Sequence, residues 1–109
     1  MKYAIILALW AGVASADVPL IEGATFSDGR FDVTLSHPDT GWDHYADGWR
    51  VEDASGTVLG LRVLGHPHVN EQPFTRSLKI DGPLPAVVYI RPRCIVDGWS
   101  TGTFDLVTQ

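Results

Sequence analysis

The sequence predicts a single all-β domain, a seven-stranded antiparallel sandwich that follows an N-terminal signal peptide. Hydrophobic residues recur with a period of two, as in strands with one buried face, and glycine or proline interrupts the pattern every 8 to 12 residues or so, roughly the spacing of short strands. No stretch of about ten residues beyond position 16 has helical periodicity. The 93 residues from 17 to 109 are enough for one domain with its own core.

Seven segments show the strand pattern between turn-forming residues. The clearest is 30–37, where Phe31, Val33 and Leu35 share one face, so this strand should be half-buried. In the third segment we expect one face to carry Tyr45, Asp47, Trp49 and Val51. The predicted strands are 18–25, 30–37, 45–52, 57–64, 74–80, 86–90 and 102–107. The predicted core consists of Phe31, Val33, Leu35, Trp49, Val51, Val88 and Ile90.

Two resemblances follow from these features. Strand number, turn spacing and Trp49 in the third strand resemble a fibronectin type III or immunoglobulin-like domain, although Cys94 has no second cysteine to pair with. The strings GWDHYADGWRV and VLGLRVLGHPHVNEQPFTRSL resemble a family of small exported bacterial proteins. The first resemblance implies a sandwich and the second implies export, and neither assigns a function to a residue.

Residues 1–16 have the composition of a secretory signal. Lys2 precedes a short apolar run, and Ala14 and Ala16 have the small-x-small spacing of a signal peptidase site. The run is shorter than the roughly 20 residues that span a bilayer. We therefore expect cleavage after Ala16, a mature domain 17–109 without a membrane span, and a periplasmic or secreted location. No cysteine lies at the cleavage point, which argues against a lipid anchor.

The charge and the cysteine count limit the partners and the means of stabilisation. The formal net charge is −5, which argues against nucleic acid and anionic membranes as partners, because both attract basic surfaces. With one cysteine, Cys94, the chain cannot form an intrachain disulfide in an oxidising compartment. Its stability must come from packing or from a bound ion.

The order of strands predicts where the polar residues gather. In an antiparallel meander successive turns alternate between the two ends of the sandwich, so the loops at 38–44, 65–73 and 94–101 should share one end. That end, which we call the upper pole, receives Cys94 and all four histidines, His37, His44, His66 and His68. Because 45–52 and 57–64 form a hairpin, we expect His44 to lie near His66 and His68.

The upper pole offers candidate ligands for a metal ion. In an extended backbone His66 and His68 project to the same side about 6 to 7 Å apart. The predicted ligands are His44, His66, His68 and Cys94, whose imidazole and thiolate groups favour copper or zinc. Two alternatives stay open: the histidines bond only to backbone groups, and Cys94 is a small buried hydrophobe.

The same loops carry aromatic residues and arginine, the types enriched at protein interfaces. The predicted partner-binding residues are Trp42, Tyr45, Arg76 and Trp99. The alternatives are that the two loop tryptophans belong to the core and that Arg76 forms a buried ion pair with Glu71 or Asp47. The main functional interpretation is a small binding or accessory module with a protein partner, and metal binding is its alternative.

The sequence contains no catalytic motif. It has no Gly-x-Ser-x-Gly, His-Glu-x-x-His, Walker or dinucleotide-binding pattern. We therefore expect no enzymatic activity.

Overall fold

The computed structural model describes residues 17–109, and the predicted signal segment 1–16 lies outside the described residues. Eight strands are present in this part of the chain. They are β1 Leu20–Ser27, β2 Arg30–Ser36, β3 Ala46–Glu52, β4 Val58–Val63, β5 Phe74–Lys79, β6 Val87–Cys94, β7 Gly98–Trp99 and β8 Phe104–Val107.

The strands form two antiparallel sheets. One has the order β1-β2-β5, and the other has the order β4-β3-β6-β7, with β8 also paired to β6. The predicted all-β antiparallel fold is confirmed, with one more strand than the seven expected, because β7 is a separate two-residue strand. Within residues 17–109, no helix is long and apolar enough to cross a bilayer.

The core lies between the inner faces of the two sheets. All seven predicted core residues are fully buried, and Ile21, Ala46, Leu64 and Phe74 join them. The alternation along β2 continues one step beyond its end, because His37 is buried like Phe31, Val33 and Leu35. The inner face of the first sheet therefore ends in an imidazole at the upper pole.

Strand β6 is longer than the predicted segment 86–90, because it runs through Pro92 to Cys94. Proline lacks an amide donor and usually interrupts a central strand. Here the carbonyl of Pro92 accepts from the amide of Ser100 at 2.9 Å. Because the amide and carbonyl of one strand residue point to the same side, the donor that Pro92 lacks would also face the β7–β8 side. The strand partner changes on that side, from β8 at Ile90 to β7 at Arg93. Pro92 therefore removes no hydrogen bond between β6 and β3.

A bulge changes the predicted face of β3. Ala46 pairs with Cys94 while Gly48 pairs with Arg93, so Asp47 is an extra residue in the strand. The expectation that Tyr45, Asp47, Trp49 and Val51 share one face is wrong for the first two. The bulge instead places Ala46 on the buried face, opposite Cys94.

Glu52 is a charged residue with only 3% of its side chain exposed. Arg50 and Arg91 are cross-strand neighbours, and Glu52 accepts from both of them, at 2.6 and 2.7 Å. A second bond at 3.1 Å makes the Arg91 contact bidentate. Hydrogen bonding from Arg91 is the main reason that the pKa of Glu52 is lowered from its ordinary value of 4.5.

We expect Trp49→Ala to lower the free energy of unfolding by about 3 to 5 kcal/mol, because it leaves a cavity in the centre of the core. Trp49 is fully buried, whereas Trp42 is 66% exposed. The matched control Trp42→Ala should change stability by about 0.5 kcal/mol or less. Denaturant midpoints measure both, and equal midpoints for the two variants would contradict the assignment of the core.

We expect Glu52→Gln to lower the free energy of unfolding at pH 7 by about 1 to 3 kcal/mol, because it weakens the bonds from two arginines. The pKa of Glu52 is lowered in the folded state, so its contribution is present above pH 4.5 and is lost as the pH falls through the folded pKa. The stability difference from wild type should therefore shrink below about pH 4.5. Urea titrations at several pH values test this, with the exposed Glu22→Gln as control.

Candidate metal centre

Three chain segments meet at the upper pole. His37 follows the last residue of β2, Cys94 ends β6, and His44 lies just before β3. The pairing of Ala46 with Cys94 fixes the start of β3 against the end of β6, and the amide of Ile95 donates to the carbonyl of Tyr45 at 3.0 Å. His37 comes from the first sheet, so the site closes one end of the sandwich.

The side chains of His37, His44 and Cys94 present one donor atom each within 4.8 Å of one another. His37 and Cys94 are buried and His44 is half-buried, and the two imidazole centroids are 4.7 Å apart. Donors bound to one ion at about 2.0 to 2.3 Å lie roughly 3.3 to 3.8 Å from each other in tetrahedral geometry. The three donor atoms are therefore up to about 1 Å further apart than the ligands of one ion, and they would have to move closer together to bind it.

Asp39 fixes the orientation of His37. Its Oδ1 accepts from Nδ1 of His37 at 2.6 Å and from the amide of Ala46 at 3.0 Å. Its Oδ2 accepts from the amide of His68 at 2.8 Å. A carboxylate on one ring nitrogen of a metal-binding histidine is the usual outer partner in metal sites, since it holds the ring and raises its basicity. This leaves Nε2 of His37 as the nitrogen that can coordinate.

Nε2 of His37 contacts the carbonyl oxygen of Asp17 at 2.7 Å. A metal ion bound at Nε2 would replace this contact, and the carbonyl of Asp17 would have to move away, because a metal–nitrogen bond of about 2.0 Å leaves no room for an oxygen 2.7 Å from the same nitrogen. Asp17 also lies near the other imidazole, with its Oδ2 3.9 Å from Nε2 of His44.

The loop between β4 and β5 is tied to the centre by Gln72. Its Oε1 accepts from the amide of His37 at 2.9 Å, and its Nε2 donates to the carbonyl of His68 at 2.9 Å. The side chain thus joins the end of β2 to the loop that carries the predicted ligands His66 and His68. It stabilises the backbone next to the site without offering a donor atom to it.

Of the predicted ligands, His44 and Cys94 lie in the three-residue group, while His66 and His68 lie outside it. The two rings contact each other, with centroids 4.5 Å apart. His68 stacks on Phe74 at 3.8 Å, and its Nε2 is 2.8 Å from Nη2 of Arg76. Because arginine only donates, this bond occupies the lone pair that a metal would need. Nδ1 of His66 bonds to the carbonyl of Pro67 at 3.0 Å.

The environment of His68 favours its neutral form. Burial lowers the pKa of His68 below its ordinary value of 6.5, and the positive charge of Arg76 lowers it further. Arg76 also lies 3.6 Å from Glu71, so the predicted ion pair with Glu71 is present, but Glu71 is largely exposed. The other predicted carboxylate, Asp47, pairs with Arg93 instead.

The predicted partner-binding residues make different contacts in the structure. Trp42 is exposed, packs edge-to-face on Tyr45 and borders a shallow cleft with His66 and His68. Arg76 reaches this cleft only through its contact with His68. Trp99 lies elsewhere, beneath the guanidinium of Arg50 at 4.0 Å.

The ligand set predicted from sequence lacked His37, and the supporting role of Asp39 was also missed. The position of His37 could have been found from the sequence, because the alternation of Phe31, Val33 and Leu35 extends to it and places it on the inner face. Asp39 lies two residues further along the chain. Its role was missed because an aspartate that follows proline in a loop is typical of an ordinary turn. Its three hydrogen-bond partners are up to 29 residues away and are visible only in the folded chain.

Comparison with known proteins gives limited matches. No protein-family profile matches the sequence. A protein of Halomicrobium mukohataei, provisionally described as a lipoprotein, is 53% identical over 54 residues, which are 50% of this chain and 26% of that protein. The match therefore spans about a quarter of that protein's length.

Two solved variants of the superoxide reductase (neelaredoxin) from Ignicoccus hospitalis are similar in structure, each with 20% identity and a TM-score of 0.46. The alignments cover 91% and 100% of this chain and 84% and 98% of the two solved chains. The expected likeness to immunoglobulin or fibronectin type III domains is not confirmed by these neighbours. Both neighbours are enzymes by name, contrary to the expectation of no enzymatic activity, and that expectation is withdrawn.

We expect Asp39→Asn to lower the free energy of unfolding by about 1 to 3 kcal/mol, because an amide nitrogen would face at least one buried donor that the carboxylate now satisfies. Its two carboxylate oxygens accept from three donors, and its side chain is fully buried. Thermal or denaturant unfolding measures the change. The exposed turn residue Asp81 supplies the matched control, Asp81→Asn, and an equal effect of both substitutions would contradict the role of Asp39.

Proposed function

We propose that this chain is an exported metal-binding protein in which His37, His44 and Cys94 hold one transition-metal ion. The observation that carries the proposal is the convergence of two imidazoles and one thiol, with donor atoms within 4.8 Å of one another at the buried end of the sandwich. Among residues 17–109 this is the one group of three or more potential ligands at such distances. It supports the metal-binding alternative over the protein-binding module.

The donor types indicate the class of metal. Imidazole and thiolate together suit zinc, copper and iron and are poor ligands for magnesium or calcium, which prefer oxygen. Two histidines and one cysteine form the equatorial set of many copper electron-transfer sites, and the same donors occur in zinc sites. We infer copper or zinc as the resident ion.

The surroundings of the donors fit a bound ion. Asp39 holds the Nδ1 edge of His37, as the outer carboxylate does in carboxylate–histidine–metal arrangements. Cys94 is fully buried and has no second cysteine to pair with, so it is protected from competing disulfide exchange. When bound, the ion supplies Lewis acidity or, if it is copper, one-electron chemistry.

Two observations support the export of this protein. Residues 1–16 have the pattern of a secretory signal, and the Halomicrobium mukohataei relative is described as a lipoprotein, which is a class of envelope protein. We infer that the domain works on the outer side of the cell membrane, in the periplasm or beyond.

The protein-recognition interpretation remains a prediction. Trp42 is its strongest support, because a tryptophan that is 66% exposed beside an open cleft is typical of a contact residue. Arg76 and Trp99 already have partners within the chain, namely His68 with Glu71 and Arg50. They therefore offer less free surface than the sequence suggested.

The test is metal content by elemental analysis of protein exported by its natural host and purified without chelator. We expect about one equivalent of copper or zinc in the wild type and loss of most of it in Cys94→Ser and His44→Ala, because each removes one of three ligands. His66→Ala is the matched control, since His66 lies outside the group.

The substitution pattern decides between the two ligand sets. Equal metal loss in His66→Ala and His44→Ala would favour the ligand set predicted from sequence, which includes His66, over the group of His37, His44 and Cys94. Wild-type protein that contains no metal and binds none of the copper or zinc added to it would refute the proposed function.

A further inference from the structure

We propose that the carboxylate of Asp17 is a fourth ligand of the ion held by His37, His44 and Cys94, so that the first residue of the predicted mature chain closes the site. This inference rests on the proposed metal site. Asp17 was not among the candidate residues found from sequence. Its carboxylate lies outside the three donors that are within 4.8 Å of one another, and two contacts place the residue beside that group.

Asp17 lies close to one ring nitrogen of each imidazole. Its carbonyl oxygen is 2.7 Å from Nε2 of His37, and its Oδ2 is 3.9 Å from Nε2 of His44. With Nδ1 of His37 held by Asp39, Nε2 is the coordinating atom of that ring. Asp17 thus lies beside the coordinating nitrogen of His37 and near Nε2 of His44, and its carboxylate has no closer partner than the 3.9 Å contact among the described ion pairs.

The fold holds Asp17 in this position. Strand β1 pairs with β2 in a register that sets Leu20 opposite Ser36, so the chain before Leu20 runs alongside His37 and beyond. Pro19 is buried, which anchors the segment, and its ring restricts Val18 to an extended conformation. Two residues of extended chain then carry Asp17 across the end of β2. The contact with His37 therefore follows from the register of the first sheet.

A carboxylate suits the position chemically. Three protein donors leave at least one coordination position free, and zinc and copper(II) both accept an aspartate oxygen at about 2.0 to 2.2 Å beside histidine and cysteine. The Asp17 side chain is 58% exposed, whereas His37 is fully buried. It can therefore rotate towards the ion without disturbing the core, and it would shield the ion from solvent once bound.

The experiment compares Zn²⁺ affinity of Asp17→Asn with that of Asp43→Asn, measured by competition with a chromogenic chelator. Both substitutions remove one negative charge, and Asp43 is an exposed neighbour of His44 in the sequence that has no hydrogen bond or ion pair to either imidazole among the described contacts, whereas Asp17 contacts both. We expect Asp17→Asn to weaken binding about tenfold or more, the loss recorded even for outer partners of metal ligands. Asp43→Asn should change affinity much less.

Three outcomes separate this inference from the proposed function. Wild type that binds Zn²⁺ through Cys94, with Asp17→Asn at wild-type affinity, would overturn the role of Asp17 and leave the metal site intact. An equal loss in both aspartate variants would show a general charge effect and would also overturn it. Wild type that binds no Zn²⁺ and no copper would overturn both proposals.

Discussion

The buried carboxylate of Asp39 is the interaction on which the upper pole depends. It accepts from the ring of His37, from the amide of Ala46 and from the amide of His68, and so joins the end of β2, the start of β3 and the β4–β5 loop. A carboxylate can be buried only when its lone pairs are satisfied, because an unpaired charge in the interior is costly. Here three donors meet that requirement. The same bonds fix the ring orientation of the proposed metal ligand His37.

Continuity of β6 is the second requirement of the site. Cys94 reaches the upper pole because the strand passes through Pro92 without losing its bonds to β3. The amide that proline lacks would face the other side, where the paired strand changes from β8 to β7. The bulge at Asp47 then places Ala46 opposite Cys94 on the buried face. Two local irregularities of one sheet, a proline and a bulge, thus position Cys94 and the start of β3, while His37 comes from the other sheet. Irregularities of this kind often occur where a sheet presents side chains for function.

The candidate site was predictable in part. That histidines and the cysteine gather at one end follows from turns alternating between the ends of an antiparallel meander, and Cys94 and His44 do lie together. Which histidine completes the group depends on the other contacts that each ring makes. The ring of His68 stacks on Phe74 and is bonded by Arg76, whereas the ring of His37 is held at the group by Asp39. These contacts join positions that are far apart in the chain, so no local pattern contained them.

The sequence by itself determined the antiparallel all-β fold class and the core, because period-two alternation around Phe31, Val33 and Leu35 and the turn residues between strands are local signals. Tertiary structure decided how far β6 extends, which face the start of β3 presents and which side chains meet at the pole. The physical reason is that these outcomes depend on ladder bonds and buried hydrogen bonds between distant segments. The contact of Asp17 with His37 is the clearest example, since it exists only because β1 pairs with β2 in one particular register.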